Sequence, residues 1–257
     1  MTQRDHPAVI DLDRIEAVVF DMDGVVTDTA SLHARAWKQT FDTYLRRRSG
    51  GSFEPFTDTD YLRYVDGRPR YDGVAAFLDS RGIDLPYGDP RDPPHRDTVC
   101  GLANAKNQGF LELLSEQGAE RYESTVRLVG ELRDRGVAVA VISASRNAPA
   151  VLAAAGVGDI FDVRVDGGDA AALGLNGKPD PGVFLEAVRR LGAEPHRAAV
   201  VEDALAGVQA GRAGGFALVI GVDRGGHADE LLAAGADVVV GDLAEVQLAA
   251  TTQGGAR

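Results

Sequence analysis

Asp21-Met22-Asp23-Gly24-Val25-Val26-Thr27-Asp28-Thr29 sets two aspartates two residues apart, directly after the apolar run Ala17-Val18-Val19-Phe20. Such a run, bounded by a Gly-containing turn, predicts a buried strand, and both carboxylates stand where it would end. In open α/β sheets ligands gather beyond the carboxyl ends of the strands. Carboxylates held there can bind Mg²⁺, and one can attack phosphorus while the other moves protons. An Asp/Gly-rich turn with solvated charges fits the same residues, so the remainder of the chain has to decide.

Three further groups bear on the choice. Val137 to Ile142 reads as a second buried strand and delivers Ser143-Ala144-Ser145-Arg146-Asn147, whose hydroxyls and amides suit phosphate oxygens near a helix start. Ser and Asn equally serve as helix caps. Gly177-Lys178-Pro179-Asp180-Pro181 places a cation before a helix whose entry is fixed by proline, with a plain surface lysine as the alternative. Ala198-Ala199-Val200-Val201 reads as another strand, ending in the second acidic pair Glu202-Asp203. That pair also suits an ordinary helix start, which the macrodipole favours.

Taken in order, the strand ends carry a carboxylate pair, hydroxyls, a lysine and another carboxylate pair. Converging like charges in one cleft are strongly unfavourable unless a divalent cation or cationic partners neutralise them. Mg²⁺, a hard cation with oxygen ligands, is the expected cofactor, and Ser143 and Lys178 are expected to hold a transferring phosphoryl group.

The elements that position these groups fall into two textures. From about Ser31 to Glu116 the pattern is helical, with Leu32, Ala36, Trp37, Thr40, Phe41 and Tyr44 at core-facing spacing. Pro86 to Pro94 reads as a loop and Lys106 to Leu114 as helix again. After about Arg121 helices alternate with short apolar strands. Helices are expected over Val126–Arg135, Pro181–Leu191 and Ala204–Ala213; strands over Phe161–Val165, Ala217–Ile220 and, last, Ala236–Val240. Such alternation predicts a parallel sheet covered on both faces. The fold class is therefore α/β, a Rossmann-like parallel-sheet core of residues 1–30 and 117–257 with an inserted helical domain over 31–116.

The 257 residues suffice for a large core, and 44% hydrophobic with 26% charged residues is ordinary for a globular protein. A formal charge of −12 argues against a nucleic-acid or anionic-membrane binder. The single cysteine, Cys100, excludes an internal disulfide and reads as a small buried thiol. No long apolar run suggests a membrane span, and Met1 to Asp13 lacks a signal-peptide core. A cytoplasmic protein, monomeric or a small homo-oligomer, is expected.

The ordered set resembles the haloacid dehalogenase superfamily of phosphotransferases. The DxDGVVTDT run, the Ser143 motif, Lys178 before Pro179, and Glu202-Asp203-Ala204-Leu205-Ala206-Gly207 match its four motifs in order. The insertion looks like that superfamily's helical cap. Within it the chain is similar to the β-phosphoglucomutase-like family, through Thr29, His33, Arg35, Ala36 and Trp37, the pair Lys106-Asn107, and Arg70 after Gly67-Arg68-Pro69. Two features depart from that pattern: Arg146 replaces a common lysine, and the Pro-rich loop at 86–97 is longer.

The resemblance implies a mechanism. Asp21 becomes an aspartyl-phosphate, Asp23 serves as general acid–base, and Mg²⁺ is held by Asp21, the Asp23 carbonyl, Asp203 and, directly or through water, Glu202. Thr29, His33, Arg70, Lys106, Ser143, Ala144, Ser145, Arg146 and Asn147 contact a small phosphorylated sugar. Arg70 anchors the phosphate that is not reacting, and His33 signals substrate arrival to Asp23. The expected reaction interconverts β-glucose 1-phosphate and glucose 6-phosphate through a 1,6-bisphosphate. The alternative is a sugar-phosphate phosphatase with the same catalytic parts.

Overall fold

A computed structural model describes residues 8–65 and 68–250. It divides into two compact units, one formed by the described residues up to Asp28 and from Ala119 onward, the other by Thr29–Gly118 with residues 66 and 67 left out. Along the chain, β1 (Val9–Asp11), β2 (Ala17–Asp21) and β3 (Thr27–Asp28) precede the second unit. That unit contains α1 (Ala30–Ser49), α2 (Asp58–Asp60), a π-helical turn over Tyr61–Val65, α3 (Arg70–Ser80) and α4 (Val99–Gln117). The chain re-enters the first unit through β4 (Glu120–Arg121), α5 (Glu123–Asp134), β5 (Ala138–Ile142), α6 (Ala148–Ala154), β6 (Val163–Val165) and α7 (Gly167–Leu173). It continues with α8 (Gly182–Leu191), β7 (Ala198–Glu202), α9 (Leu205–Ala213), β8 (Leu218–Val222), α10 (Ala228–Ala234), β9 (Val238–Val240) and β10 (Gln247–Ala249).

The main sheet of the first unit runs β6-β5-β2-β7-β8-β9, and every pairing in it is parallel. The chain lays β5 and β6 on one side of β2, then returns to place β7, β8 and β9 on the other. The order reverses between β2 and β7, so their carboxyl ends flank the switch point at which such sheets bind ligands. Every residue of β2 and β7 is buried, which is why AVVF and AAVV are unbroken apolar runs rather than alternating ones. Val19, Ile142 and Val200 from the strands share one core with Phe184 and Val188 of α8.

Several elements differ from expectation. Lys178 does not follow a strand: it lies in the loop between α7 and α8, so one of the expected strand-end groups reaches the cleft from a helix–helix connection. Val238–Val240 is not the last strand, because β10 follows and pairs in parallel with β1. A two-residue antiparallel ribbon, β3 with β4, also went unexpected. These short pieces carry too few residues for a period to show.

In the second unit α1 buries Leu32, Ala36, Trp37, Phe41 and Tyr44. The rings of Phe41, Phe56 and Phe77 form the centre, with centroids 4.1 to 5.0 Å apart. Helix α4 begins at Val99, well before the expected Lys106, because the Thr98 hydroxyl caps it by accepting from the Gly101 amide at 2.9 Å. The Pro-rich segment ahead of it is folded on itself. Asp92 accepts from the Asp89 amide and the Thr98 hydroxyl, and the Val99 and Cys100 amides donate to Pro86 and Tyr87. Cys100 is free and buried. Among the described residues no helix is long and apolar enough to cross a membrane.

Candidate active site

The first unit gathers its polar residues at the switch point. Asp21 is the last residue of β2 and Glu202 the last of β7, on hydrogen-bonded neighbours in the sheet. The Lys178 ammonium donates to Asp21 Oδ1 and to Glu202 Oε1, bridging the two strand ends. The other Glu202 oxygen accepts from the Ala204 amide at 2.7 Å. Both oxygens of this fully buried carboxylate are therefore engaged by the protein itself.

Burial opposes the charge on Lys178, but the Asp21 and Glu202 carboxylates override it and hold its pKa above the ordinary lysine value. Burial also lifts the Asp21 carboxyl, Lys178 pulling it back while Glu202, Asp203 and Asp23 push the same way as burial. Asp203 is pushed up to about 7, by burial first and then by the Glu202 charge. Asp21, Glu202 and Asp203 thus lean on one lysine while Asp23 adds to the repulsion among them, a charge imbalance that a divalent cation would relieve.

The hydroxyl of Ser143, one residue past β5, lies 3.4 Å from Asp23 Oδ2. Ser143 is itself buried. Its Oγ accepts from the Ser145 amide at 3.1 Å, and Ser145 Oγ accepts from the Asn147 amide at 3.1 Å. The Ser-Ala-Ser-Arg-Asn run is thereby a tight turn into α6, with Ala144 and Arg146 exposed and Ser145 and Asn147 half-buried.

The second unit holds its own group. His33 on α1 stacks on Phe110 of α4 at 4.2 Å between centroids, and its Nδ1 lies 2.6 Å from Lys106 Nζ. Lys106 is buried, with its ammonium 5.0 Å from the ring centroids of both Trp37 and Phe110. Burial, helped by the Lys106 charge, lowers the His33 pKa to about 3. The ring is therefore neutral near pH 7, with Nδ1 free to accept from the ammonium. Thr29 is buried immediately before α1, and its carbonyl accepts from the His33 amide at 2.9 Å.

Arg70 opens α3 with its guanidinium carbon 5.4 Å from the Tyr71 ring centroid. Its Nε is buried without a hydrogen-bond partner among the described residues. A donor left so is costly, which suits a site completed by an anion.

No group of three or more His, Cys, Asp or Glu side chains is set as a metal-holding cage among the described residues. Mg²⁺ does not require one: it keeps waters and takes one or two carboxylates plus substrate phosphate. The acidic surplus around Lys178 fits such an ion.

Comparison with known proteins settles the family. A model described as haloacid dehalogenase-like hydrolase matches residues 15–215. The chain belongs to this family. A β-phosphoglucomutase of Mycobacterium tuberculosis is 47% identical over 241 residues, covering 91% of this chain and 92% of that one. A phosphorylated carbohydrates phosphatase of Thermotoga maritima is 30% identical over 208 residues, covering 81% and 85%. The crystal structure of a β-phosphoglucomutase from Clostridium difficile superposes with a TM-score of 0.70 at 26% identity, covering 91% and 93%. The haloacid dehalogenase-like chain is accordingly a phosphotransferase or phosphatase.

Three residues bear on the site without a role assigned to them from the sequence. A Cβ on Gly24 would fall 1.9 Å from Asp203 Oδ2, and one on Gly207 would fall 1.7 Å from Glu202 Oε1. Both acidic side chains therefore lie against bare backbone, and the glycines in DGVV and ALAGV were the available signal. The third, Arg224, sits in a segment with no motif to single it out.

Proposed function

We propose that the protein is a Mg²⁺-dependent phosphosugar mutase that interconverts β-glucose 1-phosphate and glucose 6-phosphate through a β-glucose 1,6-bisphosphate. The carrying observation is the Lys178 bridge between Asp21 and Glu202 at the switch point, with Asp203 packed beside it. It supports Asp21, at the end of a buried strand, as the nucleophile.

Asp21 attacks phosphorus, the bond from phosphorus to the sugar oxygen breaks, and the phosphate rests on the Asp21 carboxylate. Asp23 gives the departing oxygen a proton and later removes one from the attacking hydroxyl, a contribution of about 10²- to 10⁴-fold. Ser143 and Lys178 hold the equatorial oxygens, where positioning and charge do most of the work. Asp21, Asp203 and the Asp23 carbonyl would hold Mg²⁺, which when bound neutralises charge on the transferring group. Glu202 is better placed to orient Lys178 than to bind the ion, since both its oxygens are taken.

A bisphosphate needs a second anion anchor. The partnerless Nε of Arg70 supports that role and favours the mutase over simple hydrolysis. The phosphatase reading draws on the Thermotoga relative and needs only water in place of the sugar hydroxyl. Incubation with Mg²⁺, β-glucose 1-phosphate and a trace of the bisphosphate separates the two. Glucose 6-phosphate without matching inorganic phosphate supports the mutase; stoichiometric phosphate release supports the hydrolase.

A further inference from the structure

We infer that Arg224 is a positioning residue for the loop that follows Asp21 and carries Asp23. Its own backbone is fixed first. The Asp223 amide donates to the Val240 carbonyl at 2.8 Å, and Asp223 Oδ1 accepts from the amides of Gly225, Gly226 and His227. From that turn, just past β8, the Arg224 side chain reaches across the sheet end.

Arg224 Nε donates to the Gly24 carbonyl at 2.8 Å. Its guanidinium carbon lies 3.6 Å from the centroid of the Tyr122 ring, a close cation–π stack. Nη1 lies 3.4 Å from the Gly241 carbonyl and 3.6 Å from an Asp242 carboxylate oxygen. Nη2 is buried with no hydrogen-bond partner among the described residues. A side chain that accepts such a cost for a planar, three-sided fit is placed by geometry rather than by solvation.

What it holds is the loop after the nucleophile. The Gly24 amide donates to the Thr27 carbonyl at 2.8 Å, so Arg224 secures the other polar group of the same residue. The side of Gly24 where a Cβ would stand faces Asp203. Gly24 is thus bound on three sides, and Asp23, its direct neighbour, takes its place from it. Tyr122, the residue directly after β4, adds a second connection, since its amide donates to the Val26 carbonyl at 3.0 Å. Arg224 therefore ties the catalytic loop to the β3–β4 ribbon, through which both chain crossings to the second unit pass.

This inference rests on the reading of Asp21 and Asp23 as nucleophile and proton carrier, and its test has an arm that does not. The variants are Arg224→Met and Arg224→Lys in the full chain, with Asp242→Asn as a control, which keeps the Oδ1 that accepts from the Ala244 amide at 2.8 Å. Displacing a catalytic group by about 1 Å can cost about 100-fold. For Arg224→Met kcat is expected to fall by about that factor with KM nearly unchanged; Arg224→Lys, which retains one donor, should recover part of it, and Asp242→Asn should leave kcat unaltered.

The independent arm is hydrogen exchange of amides 22–27 in the resting protein, expected to speed up in Arg224→Met and not in Asp242→Asn. If Arg224→Met folds and keeps its kcat, or if the loop amides exchange as in the wild type, the inference is overturned. Faster loop exchange alongside an Asp21→Asn variant that still turns over would uphold the positioning role and discard the catalytic reading.

Discussion

Gly24 and Asp203 are in such close contact that the glycine's missing side chain is part of the acidic site: an added Cβ would meet Asp203 Oδ2 at 1.9 Å. Gly24 also has φ of +82°, where an L side chain is strained. Gly24→Ala is therefore expected to displace Asp203 rather than to unfold the chain. Mg²⁺ titration of activity should show weakened dependence, with kcat down by about 10- to 100-fold for a carboxylate moved by about 1 Å. An alanine variant with wild-type Mg²⁺ dependence would remove Asp203 from the metal set.

Lys178 shares one ammonium between Asp21 and Glu202, and Glu202 is wholly buried. Lys178→Met leaves that carboxylate uncompensated, a loss of about 3–5 kcal/mol for a broken buried pair. Lys178→Met with Glu202→Gln removes the orphaned charge. Denaturant unfolding of the double variant should recover much of the stability while activity stays absent. Equal stability of the single and double variants would show that Glu202 does not depend on Lys178.

His33 gives a pH signature within the second unit. Its pKa is lowered to about 3, by burial first and then by Lys106. Between that value and the ordinary value of about 6.5 the unfolded chain binds a proton that the folded one refuses. The folded state therefore loses stability on this group's account as pH falls from about 6.5 toward 3. An NMR titration should find His33 neutral at pH 5. Lys106→Met should raise its pKa only part of the way, because burial remains. A wild-type titration at the ordinary histidine value would contradict the buried pair.

Much of the site was legible because chemistry follows the strands: the unbroken runs AVVF and AAVV announced where Asp21 and Glu202-Asp203 would stand. The stripe from Leu32 to Tyr44 likewise announced the buried face of α1. Lys178 was recognised by its neighbours Pro179 and Pro181, but its route into the cleft was not, since a loop between two helices has no period. Strands β1, β3, β4 and β10 have two or three residues each, below what alternation can reveal. The His33–Lys106 contact joins residues far apart in sequence, and only packing of α1 against α4 makes it visible. Arg224 escaped for the same reason: its partners Gly24, Tyr122 and Gly241 come from three separate stretches of chain.

Phe77 tests the second unit's core on its own. Its ring is fully buried, 4.1 Å from that of Phe41 and 5.0 Å from that of Phe56 between centroids. Phe77→Ala is expected to cost about 3–5 kcal/mol by cavity formation. Calorimetry that finds the variant as stable as the wild type would show that this aromatic centre does not hold the unit together.

Covalent phosphate on Asp21 is the most direct measure of the proposed chemistry. The protein is mixed with Mg²⁺ and β-glucose 1,6-bisphosphate labelled in phosphorus, quenched in acid, digested and mapped by mass spectrometry. The expected result is an acyl phosphate, cleaved by hydroxylamine, on the peptide containing Asp21 and absent from Asp21→Asn. Label on another residue, or the same labelling in Asp21→Asn, would contradict the assignment of Asp21 as the nucleophile.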